Sequence, residues 1–511
     1  MRRTAGNEAG GGWPRRLGEG TRALLGLAAL VAAAAAIAFV ATRLIGGPDP
    51  PEVQAEEVAA AGREAGGEAA GEADPFAWKP DRREDFEDRA ADGLAHVLYA
   101  NSPGGVLASA KRTARWRDEI EAAAEGADFD PDLLEAMVFL ESAGRPDVIA
   151  GDDVEAAAGL TQILASTGND LLGMEIDVDA SQTLTKQAAK ASAKGDERKF
   201  RELLAERARV DERFDPEEAL AGAGRYLTAA RAEFAEDDLA VVSYHMGIGN
   251  LEDVIQAYAG SDAPARELVE GEDLSYAQLF FDSSPERHPE AWAVLSEFLD
   301  DSATYLWRVY AAREIMRLYR DDPAALEARA EQQTAKATQE EVMHPPEETE
   351  IFEEPADIAA AVEDEELVSL PVDSSLGFTI DKQMGELATK LDQPPELYRA
   401  LRPEALAALI YLSSQVREAS AATEPLRVTS TVRDASYQDL LVGQNPEATS
   451  GYSLHTTGYS FDILRKYQND KQAEAFQFAL DRLRALNVLD YAYEPAAIHI
   501  TVGPDAAPLV D

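Results

Sequence analysis

The sequence contains no cysteine. That excludes disulfides, thiolate zinc sites, a thiol nucleophile and a lipid-modified cysteine anchor together. It leaves the compartment open, because an exported protein can manage without disulfides. Histidine is scarce: 6 in 511 residues, so any imidazole-based metal site must draw on very few side chains. Positive charge is also short. Lys and Arg number 47 against 95 Asp and Glu, a formal net charge of −48. A chain this acidic repels phosphate backbones, so no nucleic-acid partner is expected. What is present is a hydrophobic fraction of 45%, enough for real cores, in a length that allows about three domains.

One long hydrophobic run occurs, at residues 23–42, with no charge in it. At ~1.5 Å per residue it spans the ~30 Å hydrocarbon layer of a bilayer. Arg2, Arg3, Arg15, Arg16 and Arg22 precede it. The positive-inside bias then predicts a cytoplasmic tail (1–22) and a single-pass signal anchor in the cell membrane (23–45). The remainder is placed outside the cytoplasm, in the periplasm or wall space; a cleaved signal peptide is the alternative. Residues 46–83, rich in Gly, Ala, Glu and Pro, read as a disordered acidic stalk. Residues 84–330 carry helical patterning throughout. Residues 331–375, acidic and interrupted by Pro345, Pro346 and Pro355, read as a linker. In 376–511, helical stretches (383–392, 403–418, 470–486) mix with alternating runs at 426–430, 460–464 and 498–502, the pattern of an α+β domain. The expected architecture is therefore multidomain: a transmembrane helix, an all-α domain, an acidic linker and a C-terminal α+β domain.

Asp130 and Pro131 form a helix start, an N-cap followed by proline at the first helical position. The helix predicted from there ends near Gly144. Leu134, Met137, Val138 and Glu141 share one face. Glu141 thus extends a buried stripe at the C-terminal end of its helix. Burial and the negative end of the helix dipole both raise a carboxyl pKa. Such a group can hold its proton near neutral pH and serve as a general acid; a glutamate that merely reaches out to solvent is the plain alternative.

Four stretches follow in order: Glu141-Ser142; Gly159-Leu160-Thr161-Gln162 running to Thr167; Phe214-Asp215-Pro216 with Ala221 to Leu227; and Ser243-Tyr244-His245-Met246-Gly247-Ile248-Gly249-Asn250. In this order they resemble the lysozyme-like lytic transglycosylase (SLT) family of bacterial cell walls, over roughly 115–260. The resemblance implies a lysozyme-like fold and assigns Glu141 as the catalytic acid. It places Ser142, Gln162 and Tyr244 at the saccharide site. The implied reaction uses one carboxyl to cleave the bond between N-acetylmuramic acid and N-acetylglucosamine without water, leaving a 1,6-anhydro sugar. A goose-type lysozyme, which hydrolyses instead, is the near alternative. Departures include Thr161 for Met, Ala165 for Pro and His245-Met246 for Asn-Ala, and about 45 residues intervene before Asp215.

The C-terminal region holds Ser453-Leu454-His455-Thr456-Thr457-Gly458-Tyr459-Ser460-Phe461-Asp462 and, near the end, Ile498-His499-Ile500. Read as a strand, 498–502 turns His499 and Thr501 away from its apolar face. His455, Asp462 and His499 would supply two imidazoles and a carboxylate with a position left for water, a catalytic zinc pattern. Gly458 lets the loop between His455 and Asp462 bend back. The spacing resembles the D-alanyl-D-alanine metallopeptidase family, the zinc D,D-carboxypeptidases with a hedgehog-like fold, over roughly 376–505. The resemblance implies a zinc cofactor on His455, Asp462 and His499, and Arg433 as the partner of a substrate carboxylate. Many members carry a general-base Glu three residues before the last His. Here that place is Ala496; Glu494, two residues further back, is the candidate catalytic base and would need a bulge to reach zinc-bound water. Ser460 also replaces an Ala of the family pattern.

Together the two resemblances imply a peptidoglycan-remodelling enzyme acting on glycan strands and stem peptides. The alternative is a wall-binding or scaffold protein whose C-terminal domain is not catalytic.

Overall fold

The computed structural model describes residues 74–151, 153–298, 300–335, 338–443 and 451–510. The first half is helical. Its principal helices are α1 (Arg83–Gly93), α2 (Val106–Thr113), α3 (Arg117–Ala127), α4 (Pro131–Ser142), α5 (Val178–Ala193), α6 (Glu197–Ala208), α7 (Pro216–Phe234), α8 (Asp237–Met246), α9 (Ile248–Ala259), α10 (Tyr305–Asp321) and α11 (Pro323–Ala335). The starts follow the capping rules. Asp130 accepts the backbone N–H of Asp132 at the head of α4, and Asp215 accepts those of Glu217 and Glu218 at the head of α7. The α4 sequence is apolar nearly all round, and Leu133 to Phe139 are buried as a run. That makes α4 the central rod of the helical half. α10 lies along it, α2 and α3 flank it, and α7 packs on the outside of α3.

The second half adds short helices α12 (Glu340–Met343) and α13 (Pro355–Glu363), long helix α14 (Pro403–Ser420), and helices α15 (Ala435–Val442) and α16 (Asp470–Ala485). Its strands are β1 (Val368–Ser369), β2 (Phe378–Ile380), β3 (Ala400–Leu401), β4 (Leu426–Ser430), β5 (Ser460–Leu464), β6 (Leu489–Tyr493) and β7 (Ala497–Val502). β1 and β3 form a small antiparallel pair. The five-stranded sheet has the order β2-β4-β5-β7-β6, with β2 parallel to β4 and every other pairing antiparallel. Phe461, Ile463, Ile498 and Ile500 point into the core, while Asp462 and His499 face the other way as a directly opposed pair.

The expected architecture needs correction. The anticipated transmembrane anchor, 23–45, lies outside the described residues, and among the described residues no helix is long and apolar enough to cross a membrane. Nor is 331–375 a linker between separate lysozyme-like and metallopeptidase-like domains. It carries α12, α13 and β1, and it buries Val342, Met343, Phe352, Ile358, Leu367 and Val368. Pro355 opens α13 at its first position rather than breaking a chain. Phe352 is clamped from both sides: its N–H donates to Thr456 O (2.9 Å), and its carbonyl accepts from Ala435 N (2.9 Å). The stalk expected over 46–83 also ends early, because Phe76 and Trp78 are buried.

One hydrophobic cluster runs continuously from Phe76 through both halves to Leu509. Trp292 meets Phe478 edge to face at 5.8 Å, and Tyr411 donates to Asp74 at 3.1 Å. The described residues thus form a helical body and a mixed-sheet body over a shared core. The strands expected at 426–430 and 460–464 stand as anticipated, and the third begins one residue early. The α-helix expected over 383–392 is replaced by turns and a short 3-10 helix, Ala388–Leu391. Gly385 has φ +82°, and a Cβ there would meet Pro395 O at 2.4 Å. The close approach of backbone to backbone overrides the helical composition.

Candidate functional site

Two clusters of titratable side chains stand out, one in each half. The first is built on α4. Glu141 lies one residue from the end of that helix, which closes with Ala143 in the left-handed conformation (φ 53°). Glu141 is half-buried. Tyr305, at the start of α10, donates its hydroxyl to Glu141 Oε1 at 2.6 Å. Burial raises the Glu141 pKa above its ordinary value, against the Tyr305 hydrogen bond and the charges of His245 and Arg308. The net direction is upward, toward a carboxyl that keeps its proton.

Tyr244 and His245 come from the last turn of α8, where Gly247 at φ +90° ends one helix and opens the next. The Tyr244 hydroxyl donates to Thr161 O (2.8 Å), and its ring meets Tyr226 edge to face at 5.0 Å. Burial and the neighbouring Glu141 charge hold the Tyr244 hydroxyl protonated. His245 stacks on Tyr305 (5.0 Å, 10°), and its Nε2 stands 3.1 Å from Asp301 Oδ1. Asp301 is also ion-paired to Arg308. The hydrogen bond that His245 donates to Asp301 raises the His245 pKa against burial.

The loop bearing Thr161 and Gln162 is held from below. Arg213 is fully buried and paired with buried Asp211 (2.8 Å). It also donates to the carbonyls of Val154, Ala156 and Ile163. Gly159 crosses directly over it: a Cβ at 159 would lie 1.7 Å from Arg213 O. The residues between the Gln162 and Asp215 stretches form the α5–α6 hairpin, which returns at Asp211 and so leaves this support intact.

Glu141 and Tyr244 are brought together as expected. Ser142 is not presented to a cleft: it is buried, with Oγ bonded back to Val138 O (3.2 Å). Gln162 adopts φ +51°, and its amide donates to Gly159 O (2.8 Å) and Val148 O (3.3 Å), so it ties its own loop. Tyr305, Arg308 and Asp301 were missed. No sequence signal linked them to Glu141, from which they are far along the chain.

The second cluster lies on the polar face of the sheet, beside a cavity of about 540 Å³ lined in part by His455, Asp462, His499, Arg433, Tyr437 and Glu494. Asp462 Oδ1 is 3.1 Å from His455 Nε2 and 2.8 Å from His499 Nδ1. One ligand atom from each of the three residues falls within 4.8 Å of the others. His455 Nδ1 faces Thr431 O at 2.8 Å. A carbonyl can only accept, so Nδ1 carries the proton and the Nε2 lone pair is aimed at the Asp462 carboxylate. Burial and Arg433 push the His455 pKa down to about 4, which keeps the ring neutral. A lone pair directed at a carboxylate oxygen calls for a cation between them. The donor set, two imidazole nitrogens and one carboxylate, fits a divalent metal such as zinc. Asp462 is held ionised: burial opposes this, but the charge of the neighbouring His499 outweighs it.

Arg433 sits on the cavity wall with its guanidinium on Ser430 Oγ (2.6 Å), Gln438 Oε1 (3.0 Å) and Asp462 Oδ2 (3.5 Å). Glu494 occupies the turn between β6 and β7 and is exposed. Its charge is near enough to raise the His499 pKa, and its backbone pairs with Ala497 and Arg465. Glu340, from the stretch expected to be a linker, is the residue sequence reasoning missed here. It is buried behind His499, with Oε1 3.6 Å from His499 Nε2.

Compared with known proteins, the chain matches no family model and no curated protein.

Proposed function

We propose that this protein is a peptidoglycan-remodelling enzyme that breaks the bond between N-acetylmuramic acid and N-acetylglucosamine with Glu141 as acid and then base. The observation that carries the reading is the half-buried Glu141 carboxyl, raised in pKa and hydrogen-bonded by Tyr305 beside Tyr244. Glu141 gives its proton to the bridging oxygen as the glycosidic bond breaks. The resulting carboxylate takes the proton of the muramyl 6-hydroxyl, whose oxygen closes on the anomeric carbon. No water is consumed, and the product is a 1,6-anhydro end. Ordinary glycosidases need a second carboxylate across the bond. Asp301, whose charge is felt at Glu141, is instead tied up in ion pairs with Arg308 and His245.

The test is digestion of purified peptidoglycan with product analysis by mass spectrometry. Wild type yields anhydro ends; Glu141→Gln loses about 10²–10⁴-fold in rate. Reducing ends would assign the hydrolytic, lysozyme-type reaction, and a Glu141→Gln variant with wild-type turnover would refute the role of Glu141.

For the C-terminal site we propose a zinc peptidase-like centre that takes stem peptides. His455, Asp462 and His499 hold the metal, and Arg433 on the cavity wall meets a substrate carboxylate. The metal supplies a Lewis acid and an activated water. Ala496 and the exposed position of Glu494 favour a second reading of this half, as a wall-binding module without hydrolysis. Release of terminal D-alanine from a stem peptide separates the two.

A further inference from the structure

The two imidazoles of the second cluster turn one nitrogen inward and one outward. The outward nitrogen of His455 is tied to a backbone carbonyl, Thr431 O. The outward nitrogen of His499, Nε2, faces Glu340 Oε1 at 3.6 Å and Thr501 Oγ1 at 3.4 Å. Glu340 comes from α12, in the acidic stretch outside the resemblance to metallopeptidases, and only 6% of it is exposed. A buried carboxylate needs partners. Thr501 Oγ1 supplies one at 3.2 Å, and Ser460 Oγ lies 2.8 Å from that same hydroxyl. Ser460 and Thr501 are directly opposed on β5 and β7, two positions along from the Asp462–His499 pair. Ser460, Thr501 and Glu340 therefore make one chain of hydroxyls and carboxylate ending at the outer nitrogen of His499.

We infer that Glu340 is a positioning residue for the metal centre. It holds the proton of His499 on Nε2, through a chain anchored by Thr501 and Ser460, so that the Nδ1 lone pair points at the shared site. This rests on the metal reading proposed above. The physical reason is general: a ligating imidazole donates its other N–H to an outer acceptor, which fixes its tautomer and ring orientation and raises its basicity. A charged acceptor does this more strongly than a carbonyl. The charged groups facing His499 are Asp462 beside it on β5, Glu340 from α12, and Glu494 and Asp490 from the β6 strand and turn; Asp490 is itself paired with Arg484. Of these, Glu340 is the carboxylate at Nε2.

The test uses the full chain and metal alone. Zinc(II) affinity is measured by competition with a chromophoric chelator, and cobalt(II) substitution gives the visible absorption of the site. E340Q, nearly the same shape without the charge, is expected to weaken zinc binding about 10–100-fold and to alter the cobalt spectrum. Its metal-free melting temperature should stay close to wild type. T501V, which removes the hydroxyl that orients Glu340 and itself lies 3.4 Å from His499 Nε2, breaks the same chain one link earlier and is expected to weaken binding in the same direction by less. It decides the question if E340Q fails to fold. Wild-type zinc affinity and an unchanged cobalt spectrum in E340Q, or in T501V should E340Q be unfolded, overturn the inference while leaving the metal site standing. A wild-type chain that binds no zinc, like the control H455A, overturns the metal reading itself and this inference with it.

Discussion

Tyr305 reaches Glu141 across 164 positions of sequence and places its hydroxyl 2.6 Å from Oε1. The two residues sit at one end of an antiparallel helix pair, α4 and α10. At the other end the fully buried Glu135 is paired with Arg320 and Arg117. The pair is thus clamped at both ends, and the acid cannot shift without breaking an ion pair or a hydrogen bond.

Tyr305→Phe gives a signed prediction. The phenol donates to the carboxylate and so lowers the Glu141 pKa; without it burial acts less opposed and the pKa rises. An acid catalyst loses activity as pH climbs through its pKa. The alkaline limb of the pH–rate profile should therefore move to higher pH in the variant, with kcat on the plateau within about tenfold of wild type. A limb that stays in place, or moves down, contradicts the hydrogen bond's role.

Arg213→Met tests the support under the Thr161–Gln162 loop. It leaves the Asp211 carboxylate buried, with Ser181 as its remaining side-chain hydrogen-bond partner among the described residues. Removing one member of a buried ion pair costs about 3–5 kcal/mol. Urea titration should show a lower midpoint. The double variant Arg213→Met with Asp211→Asn should recover part of the loss, because no orphaned charge remains.

Gly159→Ala should be destabilising by more than about 1 kcal/mol. The residue has φ +80°, and its Cβ would collide with Arg213 O. Ala at Gly126, where nothing lies within 4 Å, is the control and should be neutral or slightly stabilising. Equal melting temperatures for the two variants would refute the close approach.

His344 predicts a pH dependence of stability. Its Nε2 donates to Val502 O (2.7 Å) and its ring stacks on Tyr459 at 4.1 Å. Burial pushes its pKa down from 6.5 to about 4. As pH falls through 6.5 the unfolded chain takes up a proton that the folded chain refuses until about 4. Stability is thus intact above 6.5 and is lost between there and about 4, by up to about 3 kcal/mol. His344→Gln should be less stable at pH 7.5 yet show a flatter slope over the acid range in thermal melts.

Zinc should raise the melting temperature of the whole chain, and a chelator should reverse it. Saturation at 100 times Kd is worth about 2.7 kcal/mol. Asp462→Asn should remove the shift.

Much of the site was legible because it rests on local pattern. Caps at Asp130 and Asp215 mark helix starts, and the spacing of Leu134, Met137, Val138 and Glu141 places the acid at a helix end. Strand alternation separates Ile498 and Ile500 from His499, and Phe461 and Ile463 from Asp462, so the polar face of the sheet is written in period two. Ser142 and Gln162 show the limit of motif reading. Their neighbours in sequence are as expected, but their polar atoms are spent on the backbone around them.

By itself, then, the amino-acid order determined the helix that starts at Asp130, the strands at 426–430, 460–464 and near 498–502, which side of each is apolar, and that Asp462 and His499 share a face. Only the tertiary structure decided which remote groups stand beside the two candidate sites: Tyr305 on Glu141, and Glu340 on His499. The acidic, proline-broken composition of 331–375 reads as solvated because composition records average polarity. Burial depends on what packs over a side chain, and here the segment of α12 folds back on the sheet through Glu340 and His344, while α13 packs its Ile358 and Ala361 into a second small core with Tyr398. Periodicity is a property of neighbours along the chain, whereas the pKa of a carboxyl or the tautomer of an imidazole is set by neighbours in space.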